Sequence, residues 1–279
     1  MFRHSFMRNL GQIICKFTMV KRLAFYFYKN FACTKRRNFM HNMIGKVRAA
    51  IDSYGMISQN DRIAVCVSGG KDSVFLLFAL NQIKTYYPQK FDLVAITVDP
   101  CFDNRPTDYS DIEKFCAKIN VPYVIKRTHL ASLIFDNRKE SNPCSLCARM
   151  RRGMLHDMAR ELGCNKIALG HNLDDCVETF FMNLLNCGTI GCFSPVTYLS
   201  RKDIYMIRPL IFCEETKITS LVRCKNLPIV LSRCPANFNS NRQTTKNLIL
   251  NLEKNYPNLR KKIVGAIERA NIDAWGGKK

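Results

Sequence analysis

Acidic residues are missing from the first 50 positions, which hold 11 Lys and Arg and neither Asp nor Glu. Residues 1–39 (MFRHSFMRNLGQIICKFTMVKRLAFYFYKNFACTKRRNF) are therefore a basic, aromatic extension. Such a composition suits a nucleic-acid-binding arm or an organelle transit segment, and a start codon upstream of a natural Met40 would produce it too. The poverty of Ser and Ala counts against the transit reading. Long apolar runs are also missing: nothing approaches the ~20 residues of a membrane-spanning helix, and the nearest stretch, 23–28, is aromatic and bordered by basic residues. The expectation is a cytoplasmic protein with no membrane span. A secreted disulfide framework is excluded on other grounds, because the 14 cysteines lie scattered through apolar segments, as reduced intracellular thiols do.

Acids are scarce overall, 22 against 43 Lys and Arg in 279 residues, a net charge of +21. That excess is beyond what solubility requires and points to a polyanionic partner. With 47% hydrophobic residues the chain can bury a substantial core. Past Met40 the pattern becomes regular. Met43, Ile44, Val47 and Ile51 form a helical stripe, and short apolar runs at 62–67, 93–98, 123–126, 166–169, 205–211 and 229–231 read as strands with helices between them. The predicted fold is α/β, a doubly wound parallel sheet with flanking N- and C-terminal helices. The expected organisation is an extension (1–39), an N-terminal helix (40–60), a nucleotide-binding domain (61–235) and a helical C-terminal region (236–279). In that last region two helices should split near Pro257, with Leu248, Leu252, Ile263 and Ile267 facing inward. Lys254, Arg260, Lys261, Lys262 and Arg269 would either continue a phosphate-binding surface or form a solvated face.

A Walker A loop is absent, yet SGGKDS (68–73) follows the first strand and opens a helix, where free backbone N–H groups receive an anion. Gly69 and Gly70 allow close backbone approach, Ser68 and Ser73 add hydroxyls, and Lys71 adds a charge. Asp72 cannot bind phosphate and suits the helix start or a metal. A second C-x-x-C is absent as well, which argues against a closed four-ligand zinc site around PCSLCARMRRG (143–153). The pair Cys144 and Cys147 at a helix start leaves a redox dithiol, or three thiolates with one open position as in an iron–sulfur cluster. Spacing alone does not choose the third thiolate.

Together SGGKDS, PCSLCARMRRG, ALGHNLDD, IRPL and a cysteine ahead of NRQ resemble the tRNA 2-thiocytidine synthetase (TtcA) family of PP-loop ATP pyrophosphatases, from about His41 to about Asn271. The resemblance implies an adenine nucleotide alpha hydrolase-like fold and a [4Fe-4S] cluster on Cys144, Cys147 and Cys234. It implies ATP with Mg²⁺ at Ser68, Gly69, Gly70, Lys71, Asp72 and Ser73, with Asp99, Gly170 and His171 also meeting the nucleotide. Asp174 and Asp175 would hold Mg²⁺ or position the base, though a helix start attracts acids without chemistry. Arg151 would steady developing negative charge, or face tRNA with Arg149 and Arg152. The implied reaction adenylates the C2 oxygen of an anticodon-loop cytidine, cytidine 32, and replaces it with sulfur, releasing AMP and pyrophosphate. Implied partners are tRNA, a sulfur donor such as a cysteine desulfurase persulfide, and a second copy of the chain in a homodimer. The rivals are a 2-thiouridine synthetase of the same superfamily, whose terminal zinc-binding cysteine pairs have no counterpart at Cys15 and Cys33, and a non-catalytic basic tRNA-binding protein with a structural metal.

Overall fold

The computed structural model describes residues 38–137, 143–231, 233–234 and 241–277; the expectations for residues 1–37 lie outside them. The chain divides into two compact units, 1–42 and 43–279. Residues 38–42 are helical, and the second unit contains the sheet and both cavities described below.

The second unit opens with helix α1 (residues 43–54), whose predicted stripe is realised: Met43, Val47 and Ile51 are fully buried and Ile44 nearly so. Five strands then line up in parallel: β1 (Asp61–Cys66), β2 (Phe91–Asp99), β3 (Tyr123–Arg127), β4 (Lys166–Ala168) and β6 (Ile204–Ile207). A sixth, β5 (Val196–Leu199), pairs antiparallel with β6 at the edge, giving the order β3-β2-β1-β4-β6-β5. Between them run α2 (Lys71–Lys84), α3 (Ser110–Lys118), α4 (Pro143–Glu161) and α5 (Leu173–Cys187), followed by α6 (Glu215–Cys224), α7 (Asn241–Asn255) and α8 (Leu259–Arg269). Alternate residues of β1 serve opposite faces: Ala64 and Cys66 join Val94, Ile96, Val98 and the α4 residues Cys147, Met158 and Ala159 in one core layer. Ile63 and Val65, equally buried, point to the other face, where α2 packs on β1 and β2. Burial on both faces explains why these strands read as continuous apolar runs and not as alternating ones.

Three expectations are corrected. Residues 229–231 form no strand; they are extended chain with Ile229 and Leu231 exposed, tied to the rest by a Val230 N–H donated to Gly69 O at 3.0 Å. The 205–211 run ends as a strand at Ile207 because Pro209 offers no N–H to continue the ladder. In α7 the inward residues are Ile249 and Thr245, while Leu248 is 39% exposed, since the helix is rotated by one residue from the expected face. The strand β5 was not foreseen: VTYL is short, half-exposed and lies at an edge, so it carries no sustained apolar signal.

Strand order reverses between β1 and β4, the point at which ligands of open α/β sheets collect outside the carboxyl ends. The loop after β1 carries SGGKDS and the loop after β4 carries GHNLDD. Gly170 lets them touch, because a Cβ there would stand 3.1 Å from Ser73 N and 3.2 Å from the Asp72 carbonyl carbon.

Candidate active site

Ser68, Gly69 and Gly70 turn the chain from β1 into α2. Gly69 has φ +90°, and a Cβ on it would meet Val230 Cβ at 2.9 Å, whereas Gly70 keeps an extended backbone that any residue adopts, with its nearest neighbour at 3.5 Å. Gly69→Ala is therefore expected to cost about 1–3 kcal/mol of unfolding free energy, and Gly70→Ala less than about 0.5 kcal/mol; urea titration of the two variants checks the contrast. Ser73 Oγ fastens the turn by donating to Gly70 O (2.8 Å) and accepting from Ser68 N–H (3.1 Å). No side chain caps α2, so its first N–H groups face the cleft as anion donors.

Lys71 bridges two carboxylates, its Nζ 2.8 Å from Asp72 Oδ2 and 2.8 Å from Glu215 Oε1. Burial pulls the ammonium's pKa down, but the two carboxylates outweigh it and the net shift is upward, so Lys71 stays charged. Asp72 is held from its other side by Asn172 Nδ2 at 3.1 Å, and burial raises its pKa against the pull of Lys71. Glu215 is the acid that sequence reasoning missed. It sits at the start of α6, between Lys71 and Lys246 (2.5 Å), and only the tertiary fold brings it to the loop.

Two cavities meet at this loop. The first, of about 670 Å³, lies over Val67, Ile96, Val98, Leu155 and Met206, with Ser68, Asp72, Ser73, Gly170, His171, Arg151, Arg152, Arg208 and Arg242 on its walls. Its size and its mix of apolar floor and a few polar groups suit an adenine nucleotide. The second, of about 450 Å³, lies on the other side of the loop, between Lys71, Tyr109, Val230 and Arg233. Ser68, Asp72 and Arg151 line both, and the Arg151 Nε is buried with no hydrogen-bond partner among the described residues, a donor left for a ligand.

Other predicted residues make contacts within the scaffold. Asp99, fully buried, accepts from Cys101 N–H (3.1 Å), Thr107 N–H (2.7 Å) and Thr107 Oγ1 (3.0 Å), so its carboxylate folds the 100–107 loop and lines neither cavity. Thr107 in turn helps seat Arg233, whose Nη2 donates to Arg105 O at 2.8 Å. Asp175 forms a capping box with Asn172 at the start of α5 and pairs with Arg242 at 2.6 Å. Asp174 accepts the Glu215 N–H at 2.6 Å and lies 3.0 Å from Arg260 Nε, though that N–H is not aimed at it. Neither aspartate lines either of these two cavities. Arg260, expected on a phosphate-binding surface, is thus turned inward onto Asp174 and Glu253. Thus α7 and α8 act as a cationic clamp on the acids behind the loop.

Glu178, one turn beyond Asp174, is 4% exposed and 3.8 Å from Arg242. Burial raises its pKa to about 7 even with that guanidinium beside it. A folded-state pKa above the unfolded one means that the folded chain holds the proton more tightly, so its contribution to stability is full below about pH 4.5 and declines as pH rises through 7. Glu178→Gln should remove that decline, and its Tm should exceed that of the parent chain at pH 8 by more than at pH 5; thermal melts at the two pH values check the sign.

Cys144 is exposed and Cys147 nearly buried near the start of α4. Burial pushes the Cys147 thiol up, Arg151 pulls it down, and the charges of Cys234 and Cys144 push it up again; the three cysteines are electrostatic neighbours. Among the described residues no three Cys, His, Asp or Glu side chains converge on a single metal ion. A cluster is wider than an ion, and the donor set fits one: three soft thiols with a neighbouring cation.

Comparison with known proteins agrees with the geometry. A family model described as a PP-loop domain matches residues 39–251. The tRNA-cytidine(32) 2-sulfurtransferase of Syntrophotalea carbinolica is 38% identical over 221 residues, covering 78% of this chain and 85% of the relative. The protein of the same name from Geobacter sulfurreducens is 35% identical over 229 residues, with 81% and 87% covered. Among solved structures, the U34-tRNA thiolase NcsA from Methanococcus maripaludis with its [4Fe-4S] cluster matches with a TM-score of 0.69 and 27% identity, covering 84% of this chain and 79% of that one.

Proposed function

Since the chain belongs to the PP-loop family of the tRNA-cytidine(32) 2-sulfurtransferases, we propose that it is an ATP-dependent tRNA sulfurtransferase that converts cytidine 32 to 2-thiocytidine. The observation that carries this reading is the junction of two sites. Arg151, one turn after Cys147, lines both cavities of the nucleotide loop, and Val230, four residues before Cys234, is hydrogen-bonded to Gly69 of that loop.

In this reading the apolar floor of the larger cavity takes the adenine, and the uncapped start of α2 takes the phosphates. Lys71 balances charge as the C2 oxygen of the base attacks the α-phosphorus and pyrophosphate leaves. Arg151 neutralises the oxygens that become more negative in both steps. The walls around Phe193, Leu155 and Met206 keep water from the activated carbon, which it would otherwise hydrolyse. Mg²⁺ accompanying ATP would be met by Asp72, the one carboxylate among the described residues that lines both cavities. Cys144, Cys147 and Cys234 would hold a [4Fe-4S] cluster, which when bound supplies the sulfur atom that enters at C2. Sulfur would reach it from a persulfide donor, with two electrons from an external thiol or electron-carrier reductant bringing the sulfane sulfur to the sulfide level. The net charge of +21 supports tRNA as the partner.

Nucleoside mass spectrometry of tRNA from cells lacking the protein tests the reading. Loss of 2-thiocytidine is the expected result. Loss of 2-thiouridine with 2-thiocytidine intact would instead support the uridine-modifying branch represented by NcsA.

A further inference from the structure

The sequence IRPL places Arg208 directly after β6, at the same sheet edge as the nucleotide loop, and the reaction outlined above leaves it without a task. It is 7% exposed, and every nitrogen of its guanidinium is engaged. Nη1 donates to Ser194 O and to Thr197 Oγ1 (3.1 Å), Nη2 lies 3.1 Å from Met206 Sδ, and Nε–H donates to His171 Nδ1 at 3.3 Å. The guanidinium also lies over the Phe193 ring at 5.1 Å, and the same ring stacks on His171 with centroids 5.0 Å apart and planes 29° apart. His171 is thus fixed in both position and rotation.

An arginine N–H can only donate. The imidazole nitrogen that receives it carries a lone pair, so the ring proton of neutral His171 sits on Nε2. We propose that Arg208 is a positioning residue that fixes His171 as the neutral Nε2–H tautomer, and that His171 thereby serves the cleft as a hydrogen-bond donor toward an oxygen of the ATP triphosphate. The target oxygen rests on the reading of the larger cavity as the ATP site; the tautomer does not.

The surroundings agree. Arg208 beyond β6, Arg242 of α7 and Arg152 of α4 face the ring, and Asp72, the one carboxylate lining the cavity among the described residues, is already held by Lys71 and Asn172. Burial and these three guanidinium groups keep the imidazole from taking a second proton, bringing its pKa down to about 3. A donor that remains neutral throughout the working pH range contributes a hydrogen bond to phosphate without entering the proton balance of the reaction. His171 is then no general base, and the fixed orientation means that its donor need not be reorganised when charge builds on the phosphate.

The test is a long-range proton–nitrogen NMR spectrum of the full-length protein with ¹⁵N-labelled histidine, His171 being assigned by its loss in His171→Phe, recorded from pH 5.5 to 8.5. The expected result is one neutral Nε2–H ring over the whole range. Arg208→Met should then show a ring that is still neutral, because burial, Arg242 and Arg152 continue to oppose a second proton, but that populates both tautomers, and Arg208→Lys, which retains a cationic donor, should lie between the two. An Nδ1–H tautomer or an imidazolium titrating near pH 6.5 in the parent protein overturns the proposal, and so does an Arg208→Met spectrum identical to the parent's. Should Arg208→Met fail to fold, the parent and lysine spectra still decide. Calorimetry with Mg-ATP tests the target: His171→Phe should weaken binding on the order of tenfold, and His171→Gln, whose amide can still donate, by less. Equal affinity in all three overturns the donor role. A parent protein that does not bind ATP refutes the reading of the cavity, while the NMR result continues to decide the tautomer.

Discussion

Lys71→Ala is expected to lower tRNA thiolation by at least about a hundredfold, the scale of losing a preorganised charge at a phosphate-transfer centre, with the iron content unchanged. Lys71 is the cation between Asp72 and Glu215, 2.8 Å from each. Its removal takes away positive charge where phosphate must bind and leaves two acids facing the incoming triphosphate. Burial already raises the pKa of Asp72, and without the ammonium its charge is less well supported still. Lys71→Arg keeps the charge but brings a planar fork into a space filled by one ammonium, and should recover only part of the activity. The measurement is 2-thiocytidine formed per minute from unmodified tRNA, ATP and a sulfur donor, with iron assayed on the same samples. Activity within twofold of the parent in Lys71→Ala would remove ATP activation from the mechanism.

Cys234→Ala is expected to abolish both thiolation and the visible iron–sulfur absorbance of anaerobically purified protein, with iron falling from about four atoms per chain, the content of one cubane cluster, to a trace. Only Cys144 and Cys147 would remain near one another, and Cys144 is exposed. Burial holds the Cys147 thiol protonated in the absence of metal, so the iron must displace that proton, and two thiolates compensate for this less well than three. The variant should still bind ATP, though more weakly than the iron-filled parent, since Cys234 itself lines neither cavity. A colourless parent protein holding one zinc ion would overturn the cluster assignment and with it this prediction.

The parallel core and the loop at its edge could be read from the chain, because strands buried on both faces are apolar throughout and SGGKDS has few structural uses. The position of Cys144 and Cys147 near the start of one helix was legible too, because the two are local in sequence. What could not be read depends on contacts between distant segments. Glu215 becomes part of the lysine bridge only through the approach of α6, and Arg208 becomes the partner of His171 only because β6 lies beside β4. Asp99, Asp174 and Asp175 lie at the expected edge of the sheet, but each carboxylate is already engaged by an N–H or guanidinium from another segment, a contact that sequence alone does not show. The edge strand β5 and the rotation of α7 escaped because half-exposed elements carry weak periodicity.

The hydrogen bond from Val230 to Gly69 ties the nucleotide loop to the segment that leads to Cys234. If ordering of one passes to the other through that bond, the converse holds with the same free energy. A chain filled with iron should therefore grip ATP more tightly than an empty one, by the factor that ATP adds to the retention of iron. Such reciprocity would make an unloaded copy of the enzyme a poor consumer of ATP, so that nucleotide is not hydrolysed where no sulfur can follow.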